Sequence, residues 1–257
     1  MKKYVIKAIC ILLLVNIFIP TINGSAREEY HWYCKRNSQH RQPSLDTDMQ
    51  FIDQYGGYYI DKKHGDDCDE KVIYLTFDVG YENGNVEKIL DTLKEEDAHG
   101  AFFILANVID KNGELVKRMA DEGHLVCNHT THHKNLVGAD KDTFHSELEA
   151  LENKYRELTG REMSKFFRFP EGTFDKTSIG YANDMGYKTV FWSFAYADWD
   201  NKKQMSEDAA MEKILANLHN GEIMLLHPTS ATNAKIMKRL ITELKREGYR
   251  FGSLEEL

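Results

Sequence analysis

The feature that most constrains the fold is an alternation of short apolar runs with longer amphipathic segments, which continues from Lys71 to the C-terminus. Apolar runs of this length are typical of buried strands, whereas apolar residues spaced three and four apart indicate helices. The segment 142–159 has the helical pattern and is followed by Gly160, a residue that commonly ends a helix. The runs that we interpret as strands are VIYLTF, AFFILA, HLVCN, KFFRF, TVFWSF, EIMLLH and YRFGSL.

Strands and helices that alternate along a chain predict a parallel sheet covered by helices. We therefore predict an α/β fold, a distorted (β/α) barrel of about seven parallel strands, with an open doubly wound sheet as the alternative. This domain is assigned to residues 71–257. Residues 27–70 are more polar, with scattered aromatic residues, and we predict that they form an N-terminal extension that packs on the barrel.

The N-terminus, residues 1–26, has the pattern of an export signal. Three lysines, Lys2, Lys3 and Lys7, precede an apolar run at 8–20, and small residues follow at 24–26. Because that run is short for a membrane span, we predict a signal peptide, with an uncleaved membrane anchor as the alternative. Either form places the folded domain outside the cytoplasm and makes this segment its only membrane contact.

The net charge limits the expected binding partners, and the cysteine content limits the expected disulfides. The formal net charge of −8 argues against nucleic acid as a partner. Of the four cysteines, Cys10 lies in the predicted export signal, and the odd number that remains argues against a disulfide framework. Cys34 and Cys68 are expected either to pair or to stay free, and Cys127 is expected in the core.

Polar residues recur at the points where the apolar runs stop. In parallel α/β folds the C-terminal ends of the strands gather at one edge, so these side chains are expected to converge. Any one of them alone is more often a turn, cap or core residue, but independent accidents would not all fall at strand ends. The residues are Asp78, His129, His132, His133, Arg168, Asp198 and His227.

Two histidine pairs in the sequence NHTTHHKN have a spacing that a divalent metal accepts. One pair is His129 and His133, and the other is His129 and His132. A catalytic zinc ion usually has three protein ligands and a water. Two histidines alone are therefore a weak indication of a metal site.

Five motifs, in order along the chain, resemble those of the NodB-homology polysaccharide deacetylases, carbohydrate esterase family 4. They are TFDVG at 76–80, HTTHH at 129–133, RFPEG at 168–172, DW at 198–199 and LLH at 225–227. The second motif has the form H-[ST]-x-x-H and favours His133 over His132 as a metal ligand. The resemblance covers most of the chain after the export signal and implies hydrolysis of an N-acetyl amide.

The resemblance also implies which groups carry the reaction. Asp78 is the general base, and His227 is the general acid that protonates the departing amine. A divalent metal ion, Zn or else Mn, Co or Mg, is held by His129 and His133 and polarises the acetyl carbonyl.

Other residues of the same motifs are expected to support these groups or to contact substrate. Arg168 keeps Asp78 ionised and oriented, and Asp198 pairs with either Arg168 or His227. We expect a core position for Trp192. The expected substrate-binding residues are Tyr81, Pro170, Gly172 and Trp199.

Val79 departs from the family pattern, in which the second Asp of TFDDG is the third metal ligand. A valine side chain cannot coordinate a metal, so the resemblance implies a weakly bound ion. Glu82, three residues further on, is an alternative donor.

A narrower resemblance joins the chain to the delta-lactam-biosynthetic de-N-acetylases of spore formers, on the segments TFDVGYENG, WYCKRN and FIDQYGGYY. This resemblance implies that the substrate is N-acetylmuramic acid in the peptidoglycan glycan strand, after a muramoyl-alanine amidase has removed the stem peptide. The product would become the muramic δ-lactam of spore cortex, in the cell wall or the forespore intermembrane space. The alternatives are an N-acetylglucosamine deacetylase of peptidoglycan or chitin, and a catalytically inactive glycan-binding relative.

Overall fold

The computed structural model describes residues 28–35 and 39–257, so the predicted export signal lies outside the described residues. The helices are α1 (Val86–Glu95), α2 (Ala106–Asp121), α3 (Lys141–Thr159), α4 (Lys176–Asp184), α5 (Glu207–Ala216) and α6 (Ala231–Arg246). The strands are β1 (Tyr30–His31), β2 (Gly57–Tyr58), β3 (Lys71–Val79), β4 (Ala101–Ile104), β5 (Leu125–Asn128), β6 (Ser164–Phe167), β7 (Thr173–Phe174), β8 (Lys188–Val190), β9 (Glu222–Leu226) and β10 (Tyr249–Phe251).

The main sheet has eight strands in the order β10-β3-β4-β5-β6-β8-β2, with β9 paired to β3. The pairings between these strands are parallel. A parallel bridge from Phe194 to Met224 joins the chain after β8 to β9, so the sheet curves round towards closure. The prediction of an α/β fold with a distorted barrel is confirmed, and each of the seven apolar runs overlaps one of its strands.

Side chains on β3 alternate between two packed layers, because successive residues of a strand point to opposite faces. Ile73, Leu75 and Phe77 pack among the helices. Val72 and Tyr74 lie in the barrel interior. This alternation fixes which residues at the C-terminal end of the strand can face the interior.

The N-terminal extension contributes strands as well as packing contacts. Strand β1 pairs antiparallel with β7, and β2 pairs parallel with β8. The Trp32 indole N–H donates to the Trp192 carbonyl at 2.9 Å, and its ring stacks on Phe191 with 4.5 Å between centroids. The extension therefore covers the β6–β8 side of the barrel, beside the C-terminal ends of those strands.

One helix was predicted from the sequence, and another was not. The helix at 142–159 is confirmed as α3, and Gly160 ends it in the left-handed region at φ 70°. Helix α4 was not predicted, because its nine residues include Gly180 and carry a weak apolar pattern. Its start is fixed instead by Asp175, whose carboxylate accepts from the Ser178 N–H at 2.7 Å.

The three cysteines in the described residues are free thiols, so Cys34 and Cys68 are not paired. Cys127 is buried in β5, as expected for a core residue. Within the part of the chain that the structure describes, no helix has the length and apolar character needed to cross a membrane.

Candidate active site

The centre of the site is an ion pair between the ends of β3 and β6. The Arg168 Nη1 donates to Asp78 Oδ1 at 2.8 Å. The rest of this buried guanidinium donates to the Thr76 hydroxyl and to the carbonyls of Val190 and Phe191 at 2.9–3.2 Å. These four bonds fix the guanidinium in one orientation and aim it at the carboxylate.

The electrostatic balance at Asp78 favours the ionised form. Burial of the side chain, which is 11% exposed, acts to raise its pKa. The Arg168 cation outweighs burial, together with His129 and His227, so the pKa of Asp78 is lowered overall. A carboxylate held ionised at a cavity wall is suited to accept a proton from water.

His129 is poised as a neutral imidazole beside this carboxylate. Its Nδ1 donates to the Arg168 carbonyl at 2.8 Å, which leaves a lone pair on Nε2. Nε2 lies 3.6 Å from Asp78 Oδ2. Burial lowers the pKa of His129 to about 4, so the ring is an available metal ligand.

The structure separates the two rival histidines. The His133 ring lies 5.0 Å from the His129 ring, and both line the same cavity. His132 turns away, and its Nδ1 bonds to the buried Glu147 at 2.9 Å. His133 has φ 56°, so the loop adopts a left-handed residue to bring this ring back to His129.

The third ligand position of the family pattern is not filled by a nearby donor. Val79 is fully buried in the core layer between sheet and helices. Glu82 accepts from the Gly84 N–H and does not line the cavity that His129 and His133 share. Among the described residues, no group of three or more His, Cys, Asp or Glu side chains is arranged to hold a metal ion. The site thus offers a metal two imidazole nitrogens.

Asp198 pairs with His227, which resolves the alternative left open by the sequence. Asp198 Oδ1 bonds to His227 Nδ1 at 2.7 Å, and Oδ2 accepts from the His227 backbone N–H at 2.8 Å. Burial acts to lower the pKa of His227, but the Asp198 and Asp78 carboxylates outweigh it and raise the pKa overall. A raised pKa extends the pH range over which the histidine carries the proton that a general acid donates.

Asn233, near the start of α6, holds this pair and was not identified from the sequence. Its Nδ2 donates to Asp198 Oδ2 at 2.6 Å and to the His227 carbonyl at 3.1 Å. No local motif marks such a residue, because its role depends on where α6 packs.

The polar groups open into one cavity of about 560 Å³. Asp78, His129, His133 and His227 lie in its wall. The rest of the lining is largely aromatic or small, and comprises Gly80, Tyr81, Glu171, Trp192, Ala195, Tyr196, Trp199, Leu225 and Thr229. Tyr81 and Trp199, for which substrate contact stays a prediction, line the cavity, and Trp192, expected in the core, is also in the wall.

The RFPEG segment contributes a residue that the sequence did not single out. Pro170 and Gly172 are buried and do not line the cavity, but Glu171 between them does. Gly172 has φ 66°, and a Cβ there would lie 2.8 Å from the Trp192 ring and 2.9 Å from Trp32. Gly172 therefore permits close packing, and any contact from this segment to a ligand falls on Glu171.

The arrangement combines an ionised carboxylate, a carboxylate-supported histidine and the two neighbouring imidazoles of His129 and His133 around one cavity. A base and an acid on a shared cavity can move protons in opposite directions during hydrolysis. The aromatic wall provides an apolar surface for a methyl group or a sugar ring.

Comparison with known proteins agrees with this chemistry. The polysaccharide deacetylase family model matches residues 65–190. The peptidoglycan-N-acetylmuramic acid deacetylase PdaA of Bacillus subtilis is 33% identical over 99% of this chain and 95% of its own length. The solved structure of PdaA, a family 4 carbohydrate esterase, superposes with TM-score 0.84 at 35% identity, covering 90% of this chain and 97% of that one.

A peptidoglycan-N-acetylglucosamine deacetylase of Bacillus cereus is also similar, at 31% identity over 72% of this chain and 67% of its own length. The similarity to PdaA, by comparison, includes the N-terminal extension, at an identity above 30% and over nearly the whole of both proteins. The chain therefore belongs to the polysaccharide deacetylase family, carbohydrate esterase family 4, and is a hydrolase of amide carbon–nitrogen bonds.

Proposed function

We propose that the protein removes the acetyl group from N-acetylmuramic acid residues of peptidoglycan. The observation that carries this proposal is the Arg168–Asp78 and Asp198–His227 pairs on one cavity, in a chain that matches a muramic acid deacetylase over 99% of its length. The freed amine then condenses with the lactyl carboxyl of the same residue, with loss of water, to give muramic δ-lactam.

The cellular setting is part of the same proposal. The peptidoglycan strand is the partner, and the enzyme acts outside the cytoplasm, in the cell wall or forespore intermembrane space. A muramoyl-alanine amidase acts first, because only a free lactyl carboxyl can close the lactam. The predicted signal peptide or anchor provides export.

The mechanism follows from the positions of the two pairs. Asp78 takes a proton from a water molecule as its oxygen attacks the acetyl carbonyl, and Arg168 keeps Asp78 ionised until that step. His227 then donates a proton to the departing nitrogen as the carbon–nitrogen bond breaks, which gives acetate and a free amine. Because Nδ1 of His227 is bonded to Asp198, Nε2 is the donating atom.

The two imidazoles are suitable ligands for a divalent metal, although they are only two in number. His129 and His133 are the residues that would hold it, and their imidazole nitrogens suit Zn²⁺ or a related ion. When bound, such an ion supplies Lewis-acid polarisation of the carbonyl. Since Val79 lies in the core, we expect weaker binding than a site with a third protein ligand would have.

A second candidate substrate is N-acetylglucosamine, and one observation favours it. The cavity lining in the described residues contains no Lys or Arg, and Glu171 adds a carboxylate. A free lactyl carboxylate near Glu171 would meet repulsion rather than a partner charge. N-acetylglucosamine carries no such carboxylate.

The test is acetate release by the purified chain without residues 1–26. One glycan carries peptide-free muramic acid and the other keeps its stem peptides, and each is assayed with and without a chelator. Asp78→Asn is the control for catalysis by the site. Acetate and lactam from the peptide-free glycan alone support the proposal, and acetate from both glycans favours N-acetylglucosamine.

A further inference from the structure

Three large aromatic side chains are exposed in the described structure. They are Tyr33, Tyr81 and Trp199, which are 55%, 46% and 60% exposed. Tyr81 and Trp199 line the cavity. Exposed aromatic rings beside a cavity offer apolar faces on which a ligand can stack.

Tyr33 lies in the N-terminal extension but beside the same site. It lines a shallow groove of about 10 Å³ whose wall includes Trp192, and Trp192 also lines the large cavity. Its neighbour Trp32 is anchored to this wall through the bond from its indole to the Trp192 carbonyl and through its backbone N–H, which donates to the Gly172 carbonyl at 2.8 Å. The groove and the cavity thus share Trp192 as a wall residue.

Tyr33 is held in position although it is exposed. Its hydroxyl donates to the Asp46 carboxylate, which also receives the Lys35 ammonium. Holding an aromatic ring on the surface keeps apolar area in water, which is unfavourable unless a ligand covers it. A ring that is already ordered loses little conformational freedom when a ligand binds.

We propose that Tyr33 forms a remote subsite for a neighbouring sugar of the same glycan chain whose acetyl group enters the cavity. The inference rests on the proposed function, and it gives the N-terminal extension a role in binding glycan. A sugar ring has a face of C–H groups that stacks on an aromatic ring, and its hydroxyls remain hydrated at a shallow groove. The small enclosed volume suits such a platform better than a pocket for a side group.

The experiment measures binding in the Asp78→Asn background, so that it does not depend on turnover. Two peptide-free glycans are titrated calorimetrically, a disaccharide and a chain long enough to reach beyond the cavity. Tyr33→Ala is expected to raise the Kd for the longer chain about 3- to 10-fold and to leave the Kd for the disaccharide unchanged. Tyr33→Phe keeps the ring but loses the bond to Asp46 that orders it, and is expected to raise the Kd for the longer chain by less than Tyr33→Ala does.

The outcomes separate the subsite from the proposed function. An equal effect of Tyr33→Ala on both glycans, or no effect on either, overturns the subsite. An effect that requires stem peptides on the glycan also overturns it, because the occupant would then be peptide. Failure of the active chain to release acetate, with the length-dependent effect intact, refutes the proposed function and leaves the subsite standing. Thermal melting of each variant checks that it is folded.

Discussion

Replacement of Arg168 by methionine tests the central ion pair, because Met keeps much of the buried volume and removes the charge. The variant leaves the Asp78 carboxylate without its cation and three further acceptors without a donor, on Thr76, Val190 and Phe191. Removing one partner of a buried pair typically costs about 3–5 kcal/mol. Asp78 keeps 11% of its side chain exposed to the cavity, so we expect about 3 kcal/mol, the lower end of that range.

The loss of stability should depend on pH. In the wild type the pKa of Asp78 is lower in the folded protein than in the unfolded chain. The ion pair therefore stabilises the fold fully at pH values above the unfolded pKa. This stabilisation is lost as the pH falls through the folded pKa. In Arg168→Met burial acts with less opposition and raises the pKa of Asp78, so the ionised carboxylate is destabilising at neutral pH. Protonation at low pH relieves this cost, and the two proteins should approach each other in stability.

Urea unfolding of both proteins at neutral pH and at about pH 4, near the ordinary carboxyl pKa, measures the effect. The double variant with Asp78→Asn should recover about 2 kcal/mol at neutral pH, because the uncompensated charge is gone. A stability loss that is equal at both pH values, or a double variant no more stable than Arg168→Met, would refute the electrostatic reasoning.

Three further variants test the other parts of the site. Asp198→Asn should move the alkaline limb of kcat/KM to lower pH by about 1–3 units, because only the Asp78 carboxylate then opposes the lowering of the His227 pKa by burial; an unmoved limb in acetate-release profiles contradicts this role. His133→Ala should weaken Zn²⁺ binding by about 100-fold or more in calorimetry, whereas His132→Ala, which alters a residue outside the cavity lining, should bind as the wild type does. Glu171→Gln should raise kcat/KM about fivefold for glycan with a free lactyl carboxylate and leave N-acetylglucosamine unaffected, since it removes one exposed repulsive charge; equal effects on both substrates would exclude a specificity role.

The sequence by itself determined the order along the chain of seven strands of the main sheet, and the residues at their ends. Asp78, Arg168 and His227 each follow an apolar run, and parallel strands bring those ends to one edge whatever the details of packing. Short-range periodicity carries this information, because strand and helix spacing depend only on neighbouring residues.

Tertiary packing decided which of these groups touch. Asp198 pairs with His227 rather than Arg168, since the guanidinium is already held by β3 and by carbonyls at the C-terminal end of β8. Glu147 bonds to His132 outside the cavity, and the packing of helix α6 places Asn233 against Asp198. These contacts join residues that are distant in sequence.

The positions of Val79 and Trp192 show the same limit. Strand alternation turns Val79 towards the helices, and the anchoring of Trp32 beside it makes Trp192 a wall shared by the groove and the cavity. The sequence therefore specifies which chemical groups reach the active edge. The fold decides their partners, because each partner is set by three-dimensional packing between segments that no local pattern connects.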